Sequence, residues 1–140
     1  MTTTTKLGSG EFTYEEVLNW ATLPPGYSWG ETVMSIATDS KDNVYLFNLG
    51  DHPMIVLDSE GNFLRSWGEG VFVYAHSVRV GPDGMVWCAD VGDHTIRKCT
   101  PDGKVLMTIG VPGKPPRSGA ASLSTNPPIW RGTPRPATST

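Results

Sequence analysis

Residues 35–68 read SIATDSKDNVYLFNLGDHPMIVLDSEGNFLRSWG, and residues 77–110 read SVRVGPDGMVWCADVGDHTIRKCTPDGKVLMTIG. Laid over one another at a step of 42 residues, the two stretches align without a gap. Ser35 meets Ser77, Val44 meets Val86, and Gly50-Asp51-His52 meets Gly92-Asp93-His94. Gly61, Leu64 and Gly68 meet Gly103, Leu106 and Gly110. The identities fall on turns and apolar positions in the same order, which marks an internal repeat.

Within each unit the pattern is that of a four-stranded meander. Runs such as Asn43-Val44-Tyr45-Leu46-Phe47-Asn48 are rich in β-branched and aromatic residues and are bounded by turn residues. The turns DSKDN, DSEGN, GPDG and TPDG supply the preset and positive φ angles that tight hairpins need. A repeat of about 40–45 residues with four short strands is the unit of a β-propeller blade. The expectation is an all-β chain: a partial β-propeller of two four-stranded antiparallel blades, about 33–68 and 75–110, within a propeller region spanning residues 11–110. Tyr45, Trp67 and Trp87 are expected in the blade core or between blades.

Upstream, Phe12, Tyr14, Leu18 and Trp20 share one parity and predict an N-terminal strand lying outermost in a last blade. Residues 1–10, with Gly8-Ser9-Gly10, read as a flexible leader. Residues 111–140 hold seven of the 12 prolines and eight Ser/Thr, and are expected to be a disordered tail. The abrupt change of composition after Pro115 suggests an altered reading frame.

Composition excludes several classes. Gly and Pro together account for 28 of 140 residues, which speaks against a helical bundle. No apolar run reaches the eighteen or so residues of a membrane span, and no apolar leader marks secretion, so a cytoplasmic location is expected. All 14 acidic residues lie at or before Asp102, against seven Lys/Arg in residues 1–110. Such an acidic body is a poor match for a phosphate backbone, so no nucleic-acid partner is expected. Cys88 and Cys99 are too few for a disulfide framework and are expected to be buried and reduced. The acidic turns lack the spacing of a calcium loop. His52 and His94 are read as structural corner residues, with Asp51 and Asp93 satisfying turn amides.

The FN-x-G-x-HP element at residues 47–53, the LRSWGEG-x-F…AH junction at 64–76 and the GDHT-x-RK-x-TPDGK run at 92–104 carry a resemblance. Over residues 12–115 the chain resembles NHL-repeat six-bladed propellers, and in particular the N-terminal part of the peptidyl-α-hydroxyglycine α-amidating lyase (peptidylamidoglycolate lyase) family. That resemblance implies a zinc ion held by three histidines, an axial calcium ion, and release of a peptide amide and glyoxylate. It places His76 as a zinc ligand, and the backbone carbonyls of Ile36 and Val78 as calcium ligands. It also places Leu49 where the family has arginine. An apolar side chain cannot supply a fixed positive fork, and the family's tyrosine and its other zinc histidines lie on blades absent from these residues. The expectation is a truncated lyase-like propeller, inactive alone and not retaining zinc or calcium by itself. The alternative is a non-enzymatic protein-binding module, engaging a peptide or protein and closing a ring by homo-oligomerisation.

Overall fold

The computed structural model describes residues 5–115. The chain runs through ten strands: β1 (Lys6–Ser9), β2 (Phe12–Glu15), β3 (Val33–Thr38), β4 (Val44–Asn48), β5 (Met54–Leu57), β6 (Phe63–Trp67), β7 (Ala75–Val80), β8 (Val86–Asp90), β9 (Thr95–Cys99) and β10 (Val105–Ile109). No helix occurs among the described residues, so none is long and apolar enough to cross a membrane. Strands β3 to β6 form one four-stranded antiparallel sheet in sequence order, and β7 to β10 form a second. These are the two blades, and the fold is the all-β partial propeller that the repeat predicts.

The 42-residue step holds in the backbone as well as in the letters. Register breaks at Met34, between the pairs of Val33 and Ser35, and again at His76, between those of Ala75 and Ser77. A second break falls at Leu64 in β6 and returns at Leu106 in β10. The hairpin turns match too. The Asp39 amide donates to Asn43 and the Gly81 amide to Met85; Asp58 donates to Asn62 and Thr100 to Lys104. Asp42 and Gly84, at the same step, both take positive φ (59° and 73°). Carboxylates close the blade-one turns, because Asp39 Oδ1 accepts from the amides of Lys41 and Asn43, and Asp58 Oδ1 from those of Glu60 and Asn62. The acidic turns are hairpin turns.

Each sheet has two faces, and alternation along the strands decides what each face meets. The forward face of blade one carries Tyr45, Phe47, Met54, Val56 and Trp67. These pack with Val78, Val86, Cys88 and Cys99 from the back face of blade two into one core. The inner strands β3 and β7 lie side by side, and across them the Val78 amide donates to the Ser35 hydroxyl at 3.1 Å. Below this seam, Arg65 donates to the Pro101 carbonyl (3.0 Å) and to the Tyr45 hydroxyl (3.0 Å). Burial pushes that hydroxyl's pKa up.

The back face of blade one is closed differently. Leu46, Ile55 and Leu57 are covered by Trp20, Ala21, Leu23, Tyr27 and Trp29. The irregular segment 20–29 is pinned by the Thr22 amide on the Gly61 carbonyl (2.9 Å) and by the Trp20 indole on Ser59 (3.2 Å). Gly61 permits this approach. Its φ is 84°, and a Cβ there would lie 2.0 Å from the Trp20 carbonyl oxygen.

The N-terminus departs from expectation. Lys6–Ser9 is a strand rather than a flexible leader, and it forms a separate hairpin with Phe12–Glu15. The predicted strand therefore ends at Glu15 instead of running on to Trp20. Gly8 and Gly10, with φ of 94° and 60°, make the tight reversal possible. At the other end, residues 111–115 turn back on the body, since the Gly113 amide donates to the Asp93 carbonyl at 3.0 Å. The remainder of the expected tail, residues 116–140, lies outside the described residues.

Candidate functional site

The end of the seam where β4 and β8 leave their sheets gathers most of the chemistry. Both strands finish on a polar residue that organises the following corner. Asn48 is fully buried; its side chain accepts from the Gly50 amide (2.7 Å) and donates to the His52 carbonyl (2.9 Å). Its repeat partner Asp90 does more. Its two carboxylate oxygens accept from the amides of Val73 (2.6 Å), Tyr74 (2.9 Å) and Gly92 (2.8 Å). Asp90 thus ties the link between the blades to the second corner. The turn amides are satisfied by Asn48 and Asp90, not by Asp51 and Asp93 as the sequence had suggested, because each lies at the strand end facing the turn's own N–H groups.

Asp93 instead enters a buried ionic cluster. Arg97, one of the few buried charges, donates to Asp93 Oδ2 and to the Thr95 hydroxyl (2.6 Å), lies 3.6 Å from Asp90, and stands over the Phe72 ring at 5.6 Å. Burial would raise the Asp93 carboxyl, but the hydrogen bonds and charge of Arg97, with that of Thr95, hold it below the usual carboxylate range. This cluster was not visible in the repeat, since the counterpart of Arg97 in blade one is Ile55. The Asp-x-Thr-x-Arg alternation at residues 93–97, which sets three polar side chains on one face at the start of β9, was the available signal.

The first-corner histidine is also engaged. His52 stacks on Tyr27 (centroids 4.0 Å, planes 13° apart), and its Nδ1 lies 2.7 Å from Glu69 Oε1. Burial alone would raise the Glu69 carboxyl, but the bond to His52 leads the effects that hold it low. His94, at the same step in blade two, takes a positive φ of 63° and is exposed.

Between the first corner and the inter-blade link lies a shallow cleft of about 240 Å³, lined by Asn48, Leu49, Pro53, Phe72, Tyr74 and Ala75 among others. Leu49 stands on its wall. His76 follows Ala75 on the bulge of β7 and is exposed. Bulges re-aim side chains and recur beside functional sites, and its partner Met34 occupies the same bulge in β3. Val78 directs its amide away from β8, toward Ser35. In an antiparallel pair the amide and carbonyl of one residue point the same way, so the Val78 carbonyl also lies on the free edge of β7. Ile36 pairs with Leu46 in the same phase as Val78 with Cys88, and presents its carbonyl on the free edge of β3.

The metal chemistry implied by the resemblance can be tested against these donors. A catalytic zinc takes three protein ligands and a water, whereas no group of three or more His, Cys, Asp or Glu among the described residues is close enough to hold a metal ion. Two neutral carbonyls fall short of the six to eight oxygens that calcium takes. The described residues do not by themselves fit either ion.

Against known proteins, the chain is 29% identical over 121 residues to peptidylglycine alpha-amidating monooxygenase of Rattus norvegicus, covering 69% of this chain. It is 33% identical over 101 residues to NHL repeat-containing protein 3 of Homo sapiens, covering 64% of this chain. The chain is thus similar to an NHL repeat-containing protein over about two thirds of its own length. The chain spans 12% of the rat protein's length and 28% of the human one's. No model of a known protein family matches it.

Proposed function

We propose that this chain is an NHL-repeat module that binds another protein surface through the forward face of blade two, on a scaffold resembling the lyase but without its chemistry in a single chain. One observation carries the reading. The forward face of blade one is buried in the seam, whereas the equivalent residues of blade two, Ile96 (39% exposed), Met107 (43%) and Ile109 (51%), remain open beside Trp87. Large apolar side chains exposed together on one sheet face, here around Lys98 over Trp87, mark an interaction site. Leu49, in the place of the family's arginine, and a solitary His76 support the non-catalytic half of the reading.

The test has two arms. An α-hydroxyglycine-extended peptide is offered to the chain with zinc and calcium present, and glyoxylate release is measured; none is expected, and turnover abolished by His76→Ala would overturn the reading. In parallel, wild-type and Ile96→Asp chains serve as baits for crosslinked partners. Capture is expected with the wild type and lost with Ile96→Asp, and equal capture by both would remove the forward face from consideration.

A second reading rests on His76 standing on an exposed bulge next to the cleft. Zinc at His76, and calcium at the Ile36 and Val78 carbonyls, would then be completed by donors from further blades or further copies. Metal analysis of the purified chain with and without His76→Ala separates this from the first reading.

A further inference from the structure

The two outward sheet faces of this molecule are complementary to one another. Within the chain, a forward face (Tyr45, Met54, Trp67) already packs on a back face (Val78, Val86, Cys88). Moved along by one repeat, the same pairing would set the forward face of blade two on a back face that the described residues offer once more, on blade one. That back face is the one covered by residues 20–29. The covering is incomplete. Ile36, on the inner strand of blade one, is 55% exposed, whereas its repeat partner Val78 is 0% exposed beneath a neighbouring blade. Residues 20–29 pack against the cluster of β4 and β5 and leave Ile36 of β3 exposed.

We infer that residues 20–29 occupy the seat of a second copy of this chain, which docks head to tail by placing the forward face of its blade two on the back face of blade one once that segment yields. This rests on the forward face of blade two being the contact surface. The occupant is fixed by continuity with the interface inside the chain, because the docking keeps the seam's register and puts Trp87, Ile96 and Ile109 where Tyr45, Met54 and Trp67 stand, with Lys98 in the place of Val56. The contact is heterologous, so it propagates into a ring or a longer array. Beyond the single Thr22 bridge to the Gly61–Asn62 turn, the segment is held by side chains. Tyr27 stacks on His52, lies edge-on to Phe63 at 4.9 Å, and accepts from Ser66 at 3.3 Å, so its loss loosens the cover without touching the seam.

The test uses the full chain. Tyr27→Ala is expected to shift sedimentation velocity from monomer toward a larger discrete species, and Tyr27→Ala with Ile96→Asp to return it to monomer with an unchanged β-sheet spectrum. A second measurement guards against misfolding of the loosened variant. In the seam Ser35 touches Val78, so between copies Ser77 of one chain should adjoin Ile36 of the next. Chains carrying Ser77→Cys and chains carrying Ile36→Cys, mixed under mild oxidation, are expected to give a crosslinked dimer that neither gives alone. A Tyr27→Ala chain that stays monomeric, association indifferent to Ile96→Asp, or no mixed crosslink would each overturn the inference. If association fails while capture of a different protein still depends on Ile96, the second copy is wrong and the binding module stands. If nothing depends on Ile96, both fall.

Discussion

Ser35 and Val78 are joined across the seam by a single hydrogen bond, hydroxyl to amide, in which the oxygen of one inner strand satisfies a donor of the next. Val78 is completely buried, so its amide has no water to turn to. Ser35→Ala therefore leaves a buried donor unpaired and is expected to cost about 1–3 kcal/mol, measured as a shift of the urea midpoint. A change below the error of the fit would mean that this bond contributes little to holding the blades together.

Arg97 is expected to be the costliest polar residue to lose. Replacing it by isoleucine, the residue at the same step in blade one, removes the cation that neutralises the buried Asp93 and Asp90. Breaking such a cluster from one side costs about 3–5 kcal/mol. Denaturation of Arg97→Ile against the wild type checks this, and a loss of less than about 1 kcal/mol, the scale of a surface substitution, would refute it.

Stability should fall in acid. Asp93 and Glu69 both sit below their ordinary values in the folded chain, so the unfolded chain takes up protons first as pH drops. Their contribution is complete above the unfolded carboxylate range and is lost as pH falls through the folded values, below about 4. Asp93→Asn should lower stability at neutral pH and flatten its decline between about pH 5 and pH 2. Urea titrations at stepped pH give the slopes; parallel slopes for mutant and wild type would count against the assignment.

The two cysteines should be silent in the native state. Both are buried in the seam; contact with Cys99, together with burial, pushes the Cys88 thiol well up, whereas the same contact draws the Cys99 thiol down, so the protection of Cys99 rests on its burial alone. A disulfide-exchange reagent is expected to titrate neither thiol in the folded chain and both in denaturant. Fast reaction of either native thiol would mean that the seam opens readily.

The parts legible in the sequence were those that repeat. Two copies of one pattern let Ser35, Val44 and Gly61 vouch for Ser77, Val86 and Gly103, so strands, turns and their order could be read together. The parts that do not repeat stayed hidden. Arg97 faces a hydrophobic counterpart, so its cluster with Asp93 had no echo. Residues 20–29, interrupted by Pro24 and Pro25, show no periodicity, although Trp20, Tyr27 and Trp29 are what cover blade one. Lys6–Ser9 was concealed by the glycines that in fact form its turn. Among the site residues, Ile36 and Val78 keep their 42-residue relation on the two inner strands, while His76 is exposed on its bulge with no metal-binding group of three around it among the described residues.

The paired bulges at Met34 and His76, and at Leu64 and Leu106, restrict how a sequence of this kind can change in length. A residue gained or lost inside either sheet would turn every later side chain of that strand to the opposite face and bring its kink out of phase with its twin. The connections outside the sheets are under less constraint: the loop before Val33 and the link from Gly68 to Tyr74 carry no ladder pairing. Insertions and deletions in natural variants should therefore collect in those two connections, while the spacing from each kink to the next stays invariant.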